Sequence, residues 1–132
     1  MKPTIQVGNT SSISFTVTEQ MQARFDGHVI HPVCSTWDMA HQFENAARRT
    51  LESHLEDEEQ GIGSFLSLDH VKPAPIGSTV EVEATITELD RTTVVCEIVA
   101  TIRGEICATG KQVQRVLPSS VISRLIDDST SQ

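Results

Sequence analysis

Apolar residues recur with a helical period over residues 36–55, TWDMAHQFENAARRTLESHL, the longest such pattern in the chain. On a helical wheel Met39, Ala40, Phe43, Ala46, Ala47, Leu51 and Leu55 fill an arc of roughly 180°, the face such a helix buries. Asp38, His41, Gln42, Asn45, Arg48, Arg49, Glu52 and Ser53 take the other side, which meets water. Glu44 breaks the pattern. It falls on the apolar arc between Leu51 and Leu55, where an ionised carboxylate is unfavourable unless paired or hydrogen-bonded. Thr36 and His54 also lie inside the arc, and Thr36 precedes Glu44 by about two turns on a neighbouring row, so a hydroxyl and a carboxylate can face one pocket. Each has a plainer reading as well. Ser35 or Thr36 followed by Asp38 resembles a helix cap, and a Glu at an apolar edge can reach round to solvent.

Elsewhere the period is two. Residues 5–7 and 12–18 alternate as a first strand, with Ile13, Phe15 and Val17 on one side. Residues 21–28 fit a short helical turn leading into an extended segment, 29–34, in which Pro32 marks an edge or a strand end. After the helix, the acidic run 56–60 reads as a solvated loop. Residues 64–71 read as a strand with Leu66, Leu68 and His70 on one face, so the imidazole projects from the leucine side. A lone His so placed is more often a satisfied core residue than a catalyst. Pro73, Pro75 and Gly77 make a turn before a meander of three strands, 79–89, 92–103 and 105–117, whose first two carry one apolar and one polar face. Residues 119–126 form a last short helix.

Composition narrows the function. The chain has 132 residues, one domain by length, with ends at 1–10 and 127–132 expected to fray. A formal net charge of −8 argues against nucleic acid or an anionic membrane as partner, because phosphate binding needs clustered Lys and Arg. No apolar run reaches membrane-spanning length and the first residues lack a signal-peptide pattern, so a cytoplasmic location is expected. Cys34, Cys96 and Cys107 are widely spaced and read as reduced, buried residues. Neither they nor the five histidines form a metal motif.

Strand, central helix and meander of this length resemble the hotdog fold, an α+β arrangement in which an antiparallel sheet wraps a long central helix. The details resemble its fluoroacetyl-CoA thioesterase branch, over about residues 30–117. That family combines a Thr at the helix start, a Glu eight residues later and a His twenty-six residues beyond the Glu, and these spacings land on Thr36, Glu44 and His70. LEDEEQGIG, residues 55–63, is similar to the family's loop and its Gly before the His-bearing strand, and PAPIGSTVEV to its turn.

The resemblance implies hydrolysis of a small acyl-CoA thioester to the free acid and coenzyme A, without a metal or redox cofactor. Glu44 would act as base or carboxylate nucleophile, Thr36 would position the acyl group or itself attack, and His70 would relay protons to water and the leaving thiolate. Amides at the helix start would hold the oxyanion. Ile30 and Gly63 would line the substrate pocket. The resemblance further implies a homodimer joined edge to edge, with coenzyme A along its surface. Two positions depart from the pattern: Ile30 stands where the family's namesake has an aromatic gate, and Gln114 where it has an Arg. The resemblance therefore carries the reaction class and leaves the acyl group open. The competing reading is a hotdog module that binds acyl-CoA or a similar ligand without turning it over.

Overall fold

The computed structural model describes residues 1–130. Seven strands and two helices follow in the order β1 (Thr10–Thr16), β2 (Gln22–Phe25), β3 (His28–Cys34), α1 (Thr36–Glu52), β4 (Glu59–His70), β5 (Thr79–Leu89), β6 (Thr93–Ile102), β7 (Glu105–Pro118) and α2 (Ser119–Thr130). Five strands make one antiparallel sheet in the order β1-β5-β6-β7-β4, while β2 and β3 pair by themselves.

The sheet wraps α1 because its strands alternate. Val80, Val82, Ala84 and Ile86 of β5 and Val94, Cys96, Ile98 and Ala100 of β6 are buried in one core with Met39, Phe43, Ala46, Ala47 and Leu51 of α1. Burial of a side chain such as Phe43 or Leu51 contributes about 1.5–3 kcal/mol, and the opposite, polar residues of these strands face water. Among the described residues no helix is long and apolar enough to cross a membrane.

The helix ends at Glu52, three residues before the periodicity does. Ser53 takes a helical conformation, but the next amides turn back tightly: His54 N–H donates to the Leu51 carbonyl and Leu55 N–H to that of Glu52. The first residues then cover this end. Lys2 N–H donates to the His54 carbonyl (2.7 Å), Thr4 Oγ1 lies 2.7 Å from His54 Nδ1, and Gly8 N–H donates to the Ile86 carbonyl (2.8 Å). Residues 1–10, expected to be loose, are thus tied down, although 5–7 are not strand. At the other end α2 continues through Thr130, where a frayed tail from 127 was expected; residues 131 and 132 of that tail lie outside the described residues.

Two further expectations change. Residues 21–28 are not a helical turn but a 3-10 turn, Glu19–Met21, followed by a hairpin that reverses at Asp26 and Gly27, both with positive φ (53° and 80°). An Asp-Gly pair is suited to such a two-residue turn, because both central residues need the left-handed region. Strand β4 begins at Glu59 rather than 64, since pairing with β7, Glu59 opposite Pro118 and Gly63 opposite Gln114, extends it through residues of low strand preference.

Candidate active site

Helix α1 is capped by Ser35, not Thr36. The Ser35 hydroxyl accepts from the Asp38 N–H (3.2 Å) and donates to Asp38 Oδ2 (2.8 Å), which leaves the Thr36 side chain free at the first helical position. Thr36 Oγ1 lies 3.3 Å from His70 Nδ1. His70 reaches it from the last position of β4, opposite Ala108. Among the described residues no acceptor faces the backbone N–H groups of Thr36 and Trp37. The positive end of the helix is therefore open beside the hydroxyl–imidazole pair. Trp37 stacks edge-on against Phe25 of the hairpin, with ring centroids 5.6 Å apart.

Burial pushes the His70 imidazole below its ordinary 6.5, since desolvation disfavours the charged ring. The ring is accordingly neutral near pH 7 and able to accept a proton. Its Nε2 is buried without a hydrogen-bond partner among the described residues.

Glu44 is half-buried, as its place on the apolar arc implied, and it is not left unpaired. Its Oε2 accepts a hydrogen bond from Gln112 Nε2 at 3.1 Å, while Oε1 has no partner among the described residues. Gly63 makes room for this pair: a Cβ there would stand 3.3 Å from Glu44 Oε2 and 3.5 Å from Gln112 Nε2. Gly63 therefore borders the carboxylate rather than marking only a loop. Ile30 lies on β3 with its side chain half exposed (49%).

The site residues thus form two groups on one face of α1, Thr36 with His70 and Glu44 with Gln112 and Gly63. No hydrogen bond among the described residues joins the groups. His54, the third polar residue of the arc, lies past the end of α1 and contacts Thr4 instead. The thiol of Cys34, two residues before Thr36, is pushed up to about 11 by burial and then by the nearby Asp38. It stays protonated, and its Sγ donates to the Ser35 carbonyl (3.4 Å), so it is no nucleophile.

Sequence reasoning missed Gln112. Its signal was available, since inward positions on β7 run Ala108, Gln112, Gln114 and Val116, and two amides interrupt that buried row. Gln114 donates to the Ala47 carbonyl of α1 at 3.2 Å. A cleft of about 950 Å³ lies beyond His70, lined by Lys72, Pro75, Thr101, Arg103 and Glu105 among others. It contains none of Thr36, Glu44 or His70.

A long helix held in the curve of an antiparallel sheet of this topology is the hotdog fold. A hot-dog-like protein from Thermanaerovibrio acidaminovorans superposes with a TM-score of 0.88 at 18% identity, covering 99% of this chain and 95% of that one. The model of the fluoroacetyl-CoA-specific thioesterase family, FlK, matches residues 17–120. The chain belongs to that family and is a thioester hydrolase of the acyl-CoA thioesterase class. A Thermus thermophilus hypothetical protein, described as a thioesterase superfamily member, is similar at 29% identity, with a TM-score of 0.92 and coverage of 97% and 94% of the two chains. A mutant of the fluoroacetyl-CoA-specific thioesterase FlK in complex with fluoroacetate and CoA superposes with a TM-score of 0.81 at 21% identity, over 89% of this chain and 99% of that one. No curated protein matches the sequence.

Proposed function

We propose that this thioesterase hydrolyses a small acyl-CoA with Thr36, Glu44 and His70 as its catalytic set. The observation that carries the reading is the 3.3 Å approach of the Thr36 hydroxyl to a half-buried, neutral His70, on the same helix face as a half-buried carboxylate with one free oxygen. A binding pocket has no need of either feature, which favours turnover over mere capture.

In this reading Glu44 Oε1 attacks the thioester carbonyl or takes the proton of an attacking water. The negative oxygen that forms is held by the N–H groups of Thr36 and Trp37, aided by the helix dipole. Collapse of the tetrahedral species breaks the C–S bond, and the thiolate receives by way of the imidazole the proton of the water consumed in the reaction, held by Glu44 where it acted as base and released at the second step where it attacked. If Glu44 has attacked, water then cleaves the acyl-enzyme anhydride and regenerates the carboxylate. CoA in the complex of the related FlK mutant supports a coenzyme A thioester as substrate. Ile30, at the family's gate position, is aliphatic and half exposed, and it belongs to the acyl pocket in this reading without setting a fluorinated substrate.

A homodimer completes the proposal. Strand β4 lies at the sheet edge, paired with β7 on one side only, and carries Ile62 and Phe65 at 42% and 54% exposure. Pairing with the same strand of a second copy would cover both the edge and these side chains. Such an enzyme, acting on a diffusible thioester, belongs in the cytoplasm.

The test is thiol release from acyl-CoAs running from acetyl to long-chain and aryl, for wild type beside Glu44→Ala and His70→Ala, each checked for folding. The expected result is turnover by wild type and a loss of about 10²-fold or more in both folded variants. Acyl-CoA binding without thiol release across the whole panel would replace the enzyme reading by the binding module.

A further inference from the structure

We propose that Gln112 is a positioning residue of the reaction, whose side-chain amide fixes one oxygen of Glu44 so that the other is presented to the thioester. The inference rests on the role of Glu44 in the proposed function.

Gln112 sits at the centre of the sheet, its backbone paired with Leu66 of β4 on one side and Cys96 of β6 on the other, so its Cα is fixed from both directions. The side chain points into the core and is 1% exposed. It makes one hydrogen bond there, Nε2 to Glu44 Oε2, and its Oε1 is buried with no partner among the described residues. A buried amide that leaves its acceptor unsatisfied is unfavourable for folding by roughly 1–3 kcal/mol, and a leucine of similar volume would avoid that penalty. Packing therefore does not account for an amide at this position. What it does accomplish is visible at the carboxylate, which it ties by one oxygen and leaves free at the other. Gly63 faces the same oxygen and contributes no atom that would push it away.

The neutrality of the donor matters as well. Lys or Arg in its place would pair with Glu44 as an ion pair and reduce its basicity, whereas an amide N–H sets direction without adding charge. The amide presents its N–H group to the carboxylate oxygen, a donor facing an acceptor. Gln114, two residues on, offers a contrast: its amide reaches a helix carbonyl, Ala47, and touches no catalytic group.

The experiment compares wild type, Glu44→Gln, Gln112→Leu, Gln112→Glu and the Glu44→Gln/Gln112→Leu double variant in steady-state thiol release across pH, with a thermal melt for each. Removing a hydrogen bond to a charged group predicts a fall in kcat of about 10- to 100-fold for Gln112→Leu, with KM nearly unchanged. The double variant should be no slower than Glu44→Gln alone, because the amide acts only through the carboxylate. Gln112→Glu adds a like charge that opposes ionisation of Glu44, so the acid limb of kcat/KM should move to higher pH and activity should recover in alkali. If Gln112→Leu does not fold, this isosteric variant carries the test. A folded Gln112→Leu with wild-type kcat, an equal further loss in the Glu44→Gln background, or an unshifted profile for Gln112→Glu would overturn the role of Gln112 while leaving that of Glu44 intact. A Glu44→Gln variant with the wild-type rate would remove both.

Discussion

The two halves of the sheet present different surfaces to the same helix. On the β5–β6 side every inward residue is apolar, and Val82, Ala84, Ile86, Cys96 and Ile98 are at most 1% exposed. On the β7–β4 side the inward row carries Gln112, Gln114 and His70, and it holds the two buried side-chain polar atoms that lack a partner among the described residues, His70 Nε2 and Gln112 Oε1. The backbone ladder runs through both halves, each with a register shift, between Ile86 and Glu88 in one and between Gly63 and Phe65 in the other. The contrast lies in the side chains. One half supplies the cohesion that permits the other to hold polar groups in a poorly solvated setting, where their interactions are stronger and an unmet hydrogen bond costs more. Stability and reactivity are thus carried by different side chains of a single helix, the fully buried Phe43 and the half-buried Glu44 beside it.

The separation can be broken most visibly at Phe43. Phe43→Ala empties a fully buried ring site and should lower stability by about 3–5 kcal/mol, read from chemical denaturation. Glu44→Ala, one residue on, should change stability far less while removing the activity. A smaller effect follows at Gly63. Gly63→Ala puts a methyl 3.3 Å from Glu44 Oε2, so the carboxylate must shift by a few tenths of an ångström; a several-fold fall in kcat with an unchanged melting temperature is expected. The smallest effect is in pH. Because burial holds His70 below 6.5, the unfolded chain takes up that proton first as the medium is acidified, and stability contributed by the neutral ring is lost as pH falls below about 6.5 towards the folded value. His70→Ala should flatten this part of the stability profile in denaturation series from pH 7 to 5.

The same contrast decides what could be read from the chain itself. Helix α1 and strands β5 and β6 were legible because each has one dry and one wet face, and period 3.6 or 2 then appears directly in the residues. Glu44 stood out for the opposite reason, as a charge on a dry face. The start of β4 did not, because Glu59, Gly61 and Gly63 owe their extended form to β7, a partner 51 to 59 positions away in the ladder. Of the β2–β3 hairpin the extended segment 29–34 was legible and β2 was not, because residues 22–25 are few and none is buried, and the Asp-Gly turn that joins the two strands was passed over. Gln112 escaped notice because a neutral amide in a strand excites no suspicion until pairing shows which way it points. The gathering of Glu44, Gly63 and Gln112 is a property of register, and register is set by the whole sheet rather than by any local run.

The contact between Trp37 and Phe25 has a practical side. Trp37 is the sole tryptophan of the chain, it is half exposed (49%), and it follows Thr36 directly at the open end of α1. Its indole emission depends on how much water and which neighbours surround the ring, so the arrival of an acyl-CoA beside Thr36 would alter the colour or intensity of the light it returns. The protein carries an unlabelled optical reporter at the mouth of its candidate site, and ligand affinities of catalytically silent variants can be followed through it by titration alone.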